Sequence, residues 1–368
     1  MGSNKSNGFK VLMTTDTVGG VWTYTIDLCT TLQPFNVHVI LLTLGAKLTP
    51  KQWSEVNACA NVTTYETEYQ LEWMQDPWKD VDESGKLLLQ LEATHAPDLI
   101  HLNGFAHARE NFTAPVVVVA HSDVYSWHLA VKGERPSADW GEYYRRVKSG
   151  LAKADMVVAP TEDVMNDIKL FYAVETNMRV VSNGRKKQFF PGNKAPFILT
   201  AGRVWDEAKN IELLVRAAEH IPYPIRIAGN RTFQGRTFDS EHPNIRYLDS
   251  LSPDALAREM SAASVYVSPA KYEPFGLSVL EAAMSGCALV LGSIDSLKEV
   301  WGDNALYIDT NNELELAAVV NSLMENNALR KDYASKALAH AQRFTAERMA
   351  ADYMEAYRQV MKRQTIEI

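Results

Sequence analysis

Two carboxylates, Glu273 and Glu281, flank the glycine Gly276 in the sequence YEPFGLSVLE. The first glutamate belongs to a predicted loop, and the second lies about one turn into a predicted apolar helix. Carboxylates accept hydrogen bonds from vicinal hydroxyls such as those of sugars and ribose. The glycine would let a ligand approach the backbone N–H groups of Gly276 and Leu277 at the start of the helix. The alternative is that Glu273 is solvated and that Glu281 pairs with a neighbouring cation.

Two cations, Arg203 and Lys209, follow a short predicted strand, Phe197–Ala201. At the end of a strand and the start of a helix they could flank an anion. Arginine can bind a diphosphate through two parallel hydrogen bonds, and lysine adds a compact positive charge. The competing interpretation is a surface ion pair with Asp206 or Glu207.

A pair of glycines, Gly19 and Gly20, follows the first predicted strand, Phe9–Met13. Glycines at the start of a helix let backbone N–H groups approach a phosphate or a sugar. The sequence matches neither GxGxxG nor a P-loop. Taken alone, the pair indicates a tight turn between strand and helix.

His121 stands directly after a predicted strand, Pro115–Ala120, where a histidine is well placed to donate or accept a proton in the cleft. His101, inside the strand Asp98–Leu102, is the second candidate. A loop histidine that is merely packed or hydrogen-bonded is the alternative for each. No zinc-binding spacing occurs, and Asp80-Val81-Asp82 is interpreted as helix-terminus acids, so we expect no metal site.

These residues follow apolar strands that alternate with helices, a pattern typical of parallel sheets buried on both faces. The alternation stops at a Gly-, Pro- and Lys-rich linker, Asn183–Lys194, and then restarts. The sequence thus predicts an α/β protein of two doubly wound parallel-sheet domains that face a cleft. Ligands in such sheets bind at the carboxyl ends of the strands. The other predicted strands are Val37–Thr43, Asp155–Ala159, Ile225–Ala228, Ile245–Leu248, Val265–Ser268 and Ala288–Leu291.

Composition narrows the class of protein. The 368 residues are 46% hydrophobic and 22% charged, a composition that excludes disordered and collagen-like chains. The net charge of -8 disfavours nucleic-acid binding. Three cysteines give no disulfide framework, and no apolar run approaches the roughly 18 residues that span a bilayer. The polar start, MGSNKSNGFK, carries no apolar signal core, so the predicted location is the cytoplasm. The helical face of Trp140, Tyr144, Val147 and Leu151 is interpreted as core packing, in preference to contact with a membrane surface.

Together these features resemble the retaining family 4 glycosyltransferases of the GT-B fold, over nearly the whole chain. The E-x7-E element around Pro274-Phe275-Gly276-Leu277 is the most specific match. Further matches are Gly202-Arg203 with Lys209, the linker Asn183-Gly184 with Phe190-Pro191, Gly19-Gly20 and His121. The sequence departs from the family at Asn210, where many members have glycine, and in the linker NGRKK.

The resemblance implies a role for each matched residue. Arg203 and Lys209 would neutralise the leaving diphosphate, Glu281 would accept from ribose hydroxyls, and Glu273, with the N–H groups of Gly276 and Leu277, would bind sugar hydroxyls. His121 would contact the transferred sugar, and Gly19 and Gly20 would lie beneath the phosphates. The N-terminal domain would bind the acceptor, for which His101, Asn103 and Trp127 are the candidates.

It also implies Rossmann-like domains over 1–188 and 189–345, with a last helix, 346–368, crossing back to the first. The predicted activity is retaining, metal-independent transfer of a hexosyl group from a nucleotide sugar, with a UDP-sugar favoured, to a hydroxyl of a glycan, lipid or small metabolite. No cofactor beyond this donor is expected, and either a monomer or a dimer fits. The alternatives are a nucleotide-sugar epimerase on the same scaffold and a non-catalytic binding protein.

Overall fold

The computed structural model describes residues 8–233, 236–238, 240 and 242–366. The described chain forms two compact units. The first contains residues 8–126, 136–184 and 346–366, and the second contains residues 127–135 and most of 185–345. The chain therefore changes unit four times, after Ser126, Arg135, Gly184 and Thr345.

The first unit is built on a seven-stranded parallel sheet of order β3-β2-β1-β4-β5-β6-β7. Its inner strands are buried over nearly their whole length and are rich in Val, Leu and Ile, as expected for a sheet covered on both sides. The strands are β1 (Phe9–Asp16), β2 (Val37–Leu44), β3 (Val62–Tyr65), β4 (Leu99–Leu102), β5 (Val116–Val119), β6 (Met156–Ala159) and β7 (Met178–Val180).

Seven α-helices of the described chain surround this sheet or connect its strands. The last of them returns from the second unit and contacts α1, and its apolar stripe, which includes Met349, Tyr353 and Tyr357, is buried. The predicted crossing helix is thereby confirmed over its described residues. The helices are α1 (Gly20–Leu32), α2 (Pro50–Asn57), α3 (Trp78–His95), α4 (Val124–Lys132), α5 (Gly141–Lys153), α6 (Glu162–Tyr172) and α13 (Ala346–Ile366).

The second unit has a six-stranded parallel sheet of order β12-β9-β8-β13-β14-β15. Successive residues of β8 enter different cores, with Ile198 in one and Leu199 in the other, so both faces are covered. Its strands are β8 (Ala195–Ala201), β9 (Ile225–Ala228), β12 (Ile245–Asp249), β13 (Ala263–Ser268), β14 (Ala288–Gly292) and β15 (Leu306–Ile308), and a small hairpin joins β10 (Thr232–Phe233) to β11 (Arg236–Thr237). Its helices are α7 (Ile211–Ala217), α8 (Pro253–Ala262), α9 (Leu277–Met284), α10 (Asp295–Trp301), α11 (Glu313–Glu325) and α12 (Asn327–Ala341).

The prediction of two doubly wound parallel-sheet domains is confirmed. Three strands that the sequence pattern does not predict lie at the edges of the two sheets. Strands β3, β7 and β15 were missed because each is short and only partly buried, so it lacks a continuous apolar run. The acidic and aromatic composition of segment 66–83 predicts a loop, but its end is helical, because α3 already begins at Trp78. The packing interpretation of α5 fits the structure, since Val147 and Leu151 are fully buried.

Among the described residues, no helix combines the length and the apolar character that crossing a bilayer requires.

Candidate active site

The strand order of each unit reverses beside its first strand, and this reversal creates the crevice where doubly wound sheets bind ligands. In the second unit the reversal lies between the neighbouring strands β8 and β13. The loop after β8 carries Arg203 and Lys209, and the loop after β13 carries Glu273. The topology alone thus brings the two predicted cation positions and the first predicted glutamate to one edge of the sheet.

Arg203 is held by Asp206 at this edge. The Nε and Nη2 groups of Arg203 donate to Asp206 Oδ2 at 3.1 and 2.6 Å, while Asp206 Oδ1 accepts from the N–H of Ala208 at 3.0 Å. The side chain of Asp206 is 6% exposed and that of Arg203 is 42% exposed. The ion pair foreseen as an alternative therefore forms, and it leaves the guanidinium accessible to a ligand.

Lys209 pairs with Glu273, with Nζ and Oε2 separated by 2.5 Å. Both side chains are mostly buried, at 22% and 12% exposure. A buried carboxylate without its cation is costly, so each partner fixes the other in place. The carbonyl of Glu273 also accepts a hydrogen bond from Ser296 Oγ at 2.8 Å, which anchors the loop.

Asn210, one of the departures from the family pattern, has a left-handed backbone with φ 53° and ψ 35°. Glycine adopts this conformation most easily, and asparagine tolerates it better than most other residues. Its Nδ2 also donates to the carbonyls of Pro269 and Thr310 at 2.9 and 2.8 Å. Asn210 therefore has the backbone conformation that a glycine would adopt, and its side chain adds two hydrogen bonds to neighbouring loops.

We expect Asn210→Ala to lower the free energy of unfolding by about 2–4 kcal/mol, because alanine loses both hydrogen bonds and is strained at positive φ. Asn210→Gly loses the hydrogen bonds but not the backbone geometry, so we expect about 1–2 kcal/mol. Urea denaturation of both variants measures the difference. A glycine variant less stable than the alanine variant would contradict this account.

The N-terminus of α9 offers backbone donors beside these side chains. Gly276 precedes the helix at φ 86° and ψ 64°, and no side chain of the described residues caps the helix there. A Cβ on Gly276 would lie 3.1 Å from Val279 Cγ2 and 3.4 Å from Glu273 Cγ. Glycine therefore suits this position both in backbone conformation and in space. The N–H groups at Leu277 and beyond remain suited to an oxygen-rich ligand.

Glu281 is buried on α9 and pairs with Arg185. Arg185 Nε lies 2.8 Å from Glu281 Oε1, and the two side chains are 5% and 10% exposed. Arg185 is held in turn by its own N–H, which donates to the carbonyl of Phe344 at 3.1 Å. Sequence reasoning missed Arg185 as a partner, although it is the residue at which the linker departs from the family pattern.

In the first unit the sheet reverses between β1 and β4. The loop after β1 ends at Gly19, which precedes α1 with φ 80°, and no side chain of the described residues caps this helix. Gly20 is the first residue of α1, and Asp16 Oδ1 supports the loop by accepting from the N–H of Val18 at 2.6 Å. The two predicted glycines thus lie at the reversal point of this sheet.

His121, His101 and Asn103 come together at the same edge. Asn103 Oδ1 lies 2.8 Å from His121 Nε2 and 3.2 Å from His101 Nε2. The ring of Tyr24 meets that of His121 edge to face at 4.5 Å between centroids. Burial lowers the pKa of His121 to about 3, with a smaller contribution from His101, and burial lowers the pKa of His101 to about 4. Both imidazoles are therefore neutral at physiological pH.

The three residues predicted to bind the acceptor have different surroundings. His101 is 0% exposed and bonds through Nδ1 to the hydroxyl of Tyr357 at 2.7 Å, so it has no free surface for a ligand. Asn103 is partly exposed and bonds to the histidines. Trp127 lies in α4, half-buried, at the start of the segment grouped with the second unit.

The two acids of the DVD sequence make structural contacts, with Asp80 in the first turn of α3 and Asp82 in the second. Asp82 accepts from Arg146 Nη1 at 2.6 Å, and Asp80 Oδ2 accepts from the N–H of Gln70 at 3.0 Å. Within the described part of the chain, no group of three or more His, Cys, Asp or Glu residues is placed to hold a metal ion.

Two family models cover most of the chain in succession. Residues 18–188 match "Glycosyltransferase Family 4", and residues 183–340 match "Glycosyl transferases group 1". The chain belongs to glycosyltransferase family 4. The sequence resemblance is thereby confirmed at the level of the family.

Curated relatives of this family 4 protein align over part of their length. An O-antigen chain mannosyltransferase B of Escherichia coli is 29% identical over 162 residues, which is 41% of this chain and 42% of the relative. A D-inositol 3-phosphate glycosyltransferase of Xylanimonas cellulosilytica is 30% identical over 182 residues, 46% of this chain and 43% of the relative. The chain thus spans less than half of the length of these relatives.

Solved structures of other proteins match the family 4 chain over nearly its whole length. A sucrose-phosphate synthase of Thermosynechococcus elongatus has a TM-score of 0.80 at 18% identity, covering 96% of this chain and 99% of that one. The Anabaena protein HepE in complex with UDP-glucose has a TM-score of 0.73 at 16% identity, covering 95% and 99%. These likenesses establish the GT-B fold.

Proposed function

We propose that this protein transfers a sugar from a nucleotide-diphosphate sugar to a hydroxyl acceptor, with retention at the anomeric carbon. The observation that carries the proposal is the pair of cations, Arg203 and Lys209, at the reversal point of the second sheet. Asp206 orients Arg203, and Glu273 orients Lys209. The loop that carries Glu273 leads into the N-terminus of α9, which no described side chain caps. Fixed positive charges and backbone N–H groups are what a departing diphosphate requires, because negative charge develops on it as the glycosidic bond breaks.

Glu273 and Glu281 would bind hydroxyl groups of this donor. Glu273 supplies a carboxylate in the loop, where the N–H groups of Gly276 and Leu277 follow in the sequence. Glu281 pairs with Arg185 through Oε1. A carboxylate oxygen accepts more than one hydrogen bond, so Glu281 would also accept from ribose hydroxyls. The Anabaena protein bound to UDP-glucose favours uridine as the nucleoside and a hexose as the sugar.

His121 would contact the transferred sugar and Gly19 and Gly20 would contact the phosphates, while Asn103 and Trp127 remain candidates for the acceptor. Since His121 is neutral, it would act as a hydrogen-bond partner and not as a cation. The charge needed for departure would then come from Arg203 and Lys209 without a metal ion. The acceptor, which is a glycan, a lipid or a small metabolite, would determine the product.

The test is to incubate the protein with UDP-hexoses and acceptor mixtures and to analyse both sugar products and released UDP. We expect an α-linked product from an α-linked donor, and a rate at least 10²-fold lower in His121→Ala because a contact to the reacting sugar is lost. His38→Ala is the matched control, since His38 lies near the amino end of β2, away from the carboxyl edge, and bonds to Thr63. Conversion of the donor to another nucleotide sugar without an acceptor would favour an epimerase, and a His121→Ala variant at full rate would remove His121 from the site.

A further inference from the structure

The orientation of the Asn103 amide is fixed from one side. Its Nδ2 donates to the carbonyl oxygen of Thr14 at 2.7 Å, and its backbone N–H donates to Thr14 Oγ1 at 3.0 Å. A carbonyl oxygen accepts only, so the atom that faces it must be the amide nitrogen. The other end of the amide, Oδ1, therefore faces the two histidines as a pure acceptor.

This acceptor determines where the imidazole of His121 carries its proton. Asn103 Oδ1 lies 2.8 Å from His121 Nε2 and 3.2 Å from His101 Nε2, and it can donate to neither. His121 Nε2 has no other hydrogen-bond partner in the described part of the chain, so it must be protonated, whereas His101 Nε2 also lies 3.4 Å from the hydroxyl of Tyr24. A neutral imidazole carries one N–H, so Nδ1 of His121 is a bare acceptor.

The Nδ1 atoms of the two histidines have different surroundings. His101 Nδ1 lies 2.7 Å from the hydroxyl of Tyr357 on α13, with which it shares a hydrogen bond. His121 Nδ1 has no hydrogen-bond partner in the described part of the chain, and His121 is partly exposed. Within the described part of the chain, His121 Nδ1 is therefore an acceptor available to a ligand at the carboxyl edge of the first sheet.

We propose that Asn103 is a positioning residue that holds His121 in the Nε2–H tautomer, so that Nδ1 accepts a hydrogen bond from a hydroxyl of the transferred sugar and donates none. The assignment of the ligand as a sugar rests on the proposed function. The tautomer follows from the hydrogen bond to Asn103 and from the neutrality of the imidazole. In this arrangement His121 selects a ligand group that donates a proton, and Asn103 acts through His121 without touching the transferred sugar.

The direct test is ¹⁵N NMR of the full-length protein labelled at histidine, with the His121 signals assigned by comparison with His121→Gln. We expect a protonated Nε2 and an unprotonated Nδ1 at pH 7.5 in the wild type. Asn103→Leu removes the acceptor, and we expect the Nδ1–H tautomer of His121 to become detectable. Tyr357→Phe is the matched control, because it removes a partner of His101 and leaves Asn103 in place, so the His121 tautomer should not change.

Either of two results would overturn the proposal: a protonated Nδ1 on His121 in the wild type, or an unchanged tautomer in a folded Asn103 variant. Asn103→Ser, which is smaller and polar, provides the same comparison where the leucine variant does not fold. These spectra need no substrate, so they decide the role of Asn103 even where no transferase activity is found.

A second readout tests the direction of the hydrogen bond to the ligand. Fluorine cannot donate, so we expect one donor analogue with a hydroxyl replaced by fluorine to lose at least tenfold in kcat/KM with the wild type. His121→Ala should lose much less from that replacement, because its acceptor is already gone. Equal losses in the two proteins for every fluorinated analogue would show that His121 Nδ1 accepts from no sugar hydroxyl.

Discussion

Lys209→Ala should lower the turnover of sugar transfer by about 10²-fold or more, with Arg203→Ala showing a loss of the same order. Each substitution removes a fixed positive charge from the place where the diphosphate would leave. Lys209→Ala also leaves Glu273 without the ammonium that lies 2.5 Å from it. The unpaired carboxylate would then repel the phosphates, so the lysine variant should be the more impaired of the two. Steady-state rates of UDP release at saturating acceptor measure the effect.

The matched control for these variants is Arg216→Ala. Arg216 lies on α7 and also pairs with acidic side chains, at 3.5 Å from Glu212 and 3.8 Å from Glu313. Its side chain is 45% exposed, so its removal should change stability by less than about 1 kcal/mol and leave turnover unaltered. Unchanged turnover in both Arg203→Ala and Lys209→Ala would contradict the assignment of these cations to a diphosphate.

Arg185→Met should destabilise the second unit by about 3–5 kcal/mol, because it leaves the carboxylate of Glu281 buried without a counter-charge. The double variant Arg185→Met/Glu281→Leu replaces the whole pair by apolar groups, and we expect it to be more stable than either single variant. A double-mutant cycle from urea denaturation at pH 7 should give a coupling of at least about 2 kcal/mol.

The same cycle on Lys336 and Asp332 shows what an exposed pair contributes. These residues lie on α12 with Nζ and Oδ2 2.6 Å apart, and their side chains are 48% and 53% exposed. The coupling expected there is about 0.5 kcal/mol. A coupling that small for Arg185 and Glu281 would mean that their contact contributes little, and that Glu281 does not depend on Arg185 for its position.

The sequence was informative wherever a strand was central and apolar. Strands such as Val116–Val119 and Val265–Ser268 are runs of buried residues, so their type and the residues that follow them could be inferred from local pattern. His121 and Arg203 were found because parallel strands present their carboxyl ends at one edge. The edge strand Val62–Tyr65 escaped detection because all four residues are only partly buried.

The partners of the candidate residues could not be inferred in the same way. Arg185 and Glu281 are distant in sequence, and only the fold brings the guanidinium to 2.8 Å from the carboxylate. Likewise, the spacing of His101 and Asn103 in the sequence IHLNG could not show that one is fully buried and that the other bonds to both histidines. Their partners come from β1, the loop after β5 and α13. The sequence showed Asn210 as a departure from the family pattern. Only the structure shows its left-handed backbone, which explains why an asparagine serves in place of a glycine.

The most direct test of the central claim is a thermal-shift measurement with UDP-, GDP- and ADP-sugars in the presence of a chelator. A ligand at 100 times its dissociation constant stabilises the folded state by about 2.7 kcal/mol, which is readily observed. We predict a clear rise in Tm with one nucleotide class, largest for the UDP-sugars, and little or no rise in the Arg203→Ala/Lys209→Ala double variant. A wild-type protein that responds to none of these donors, or a double variant that responds as strongly as the wild type, would contradict the proposal that these two cations bind the diphosphate of a nucleotide sugar.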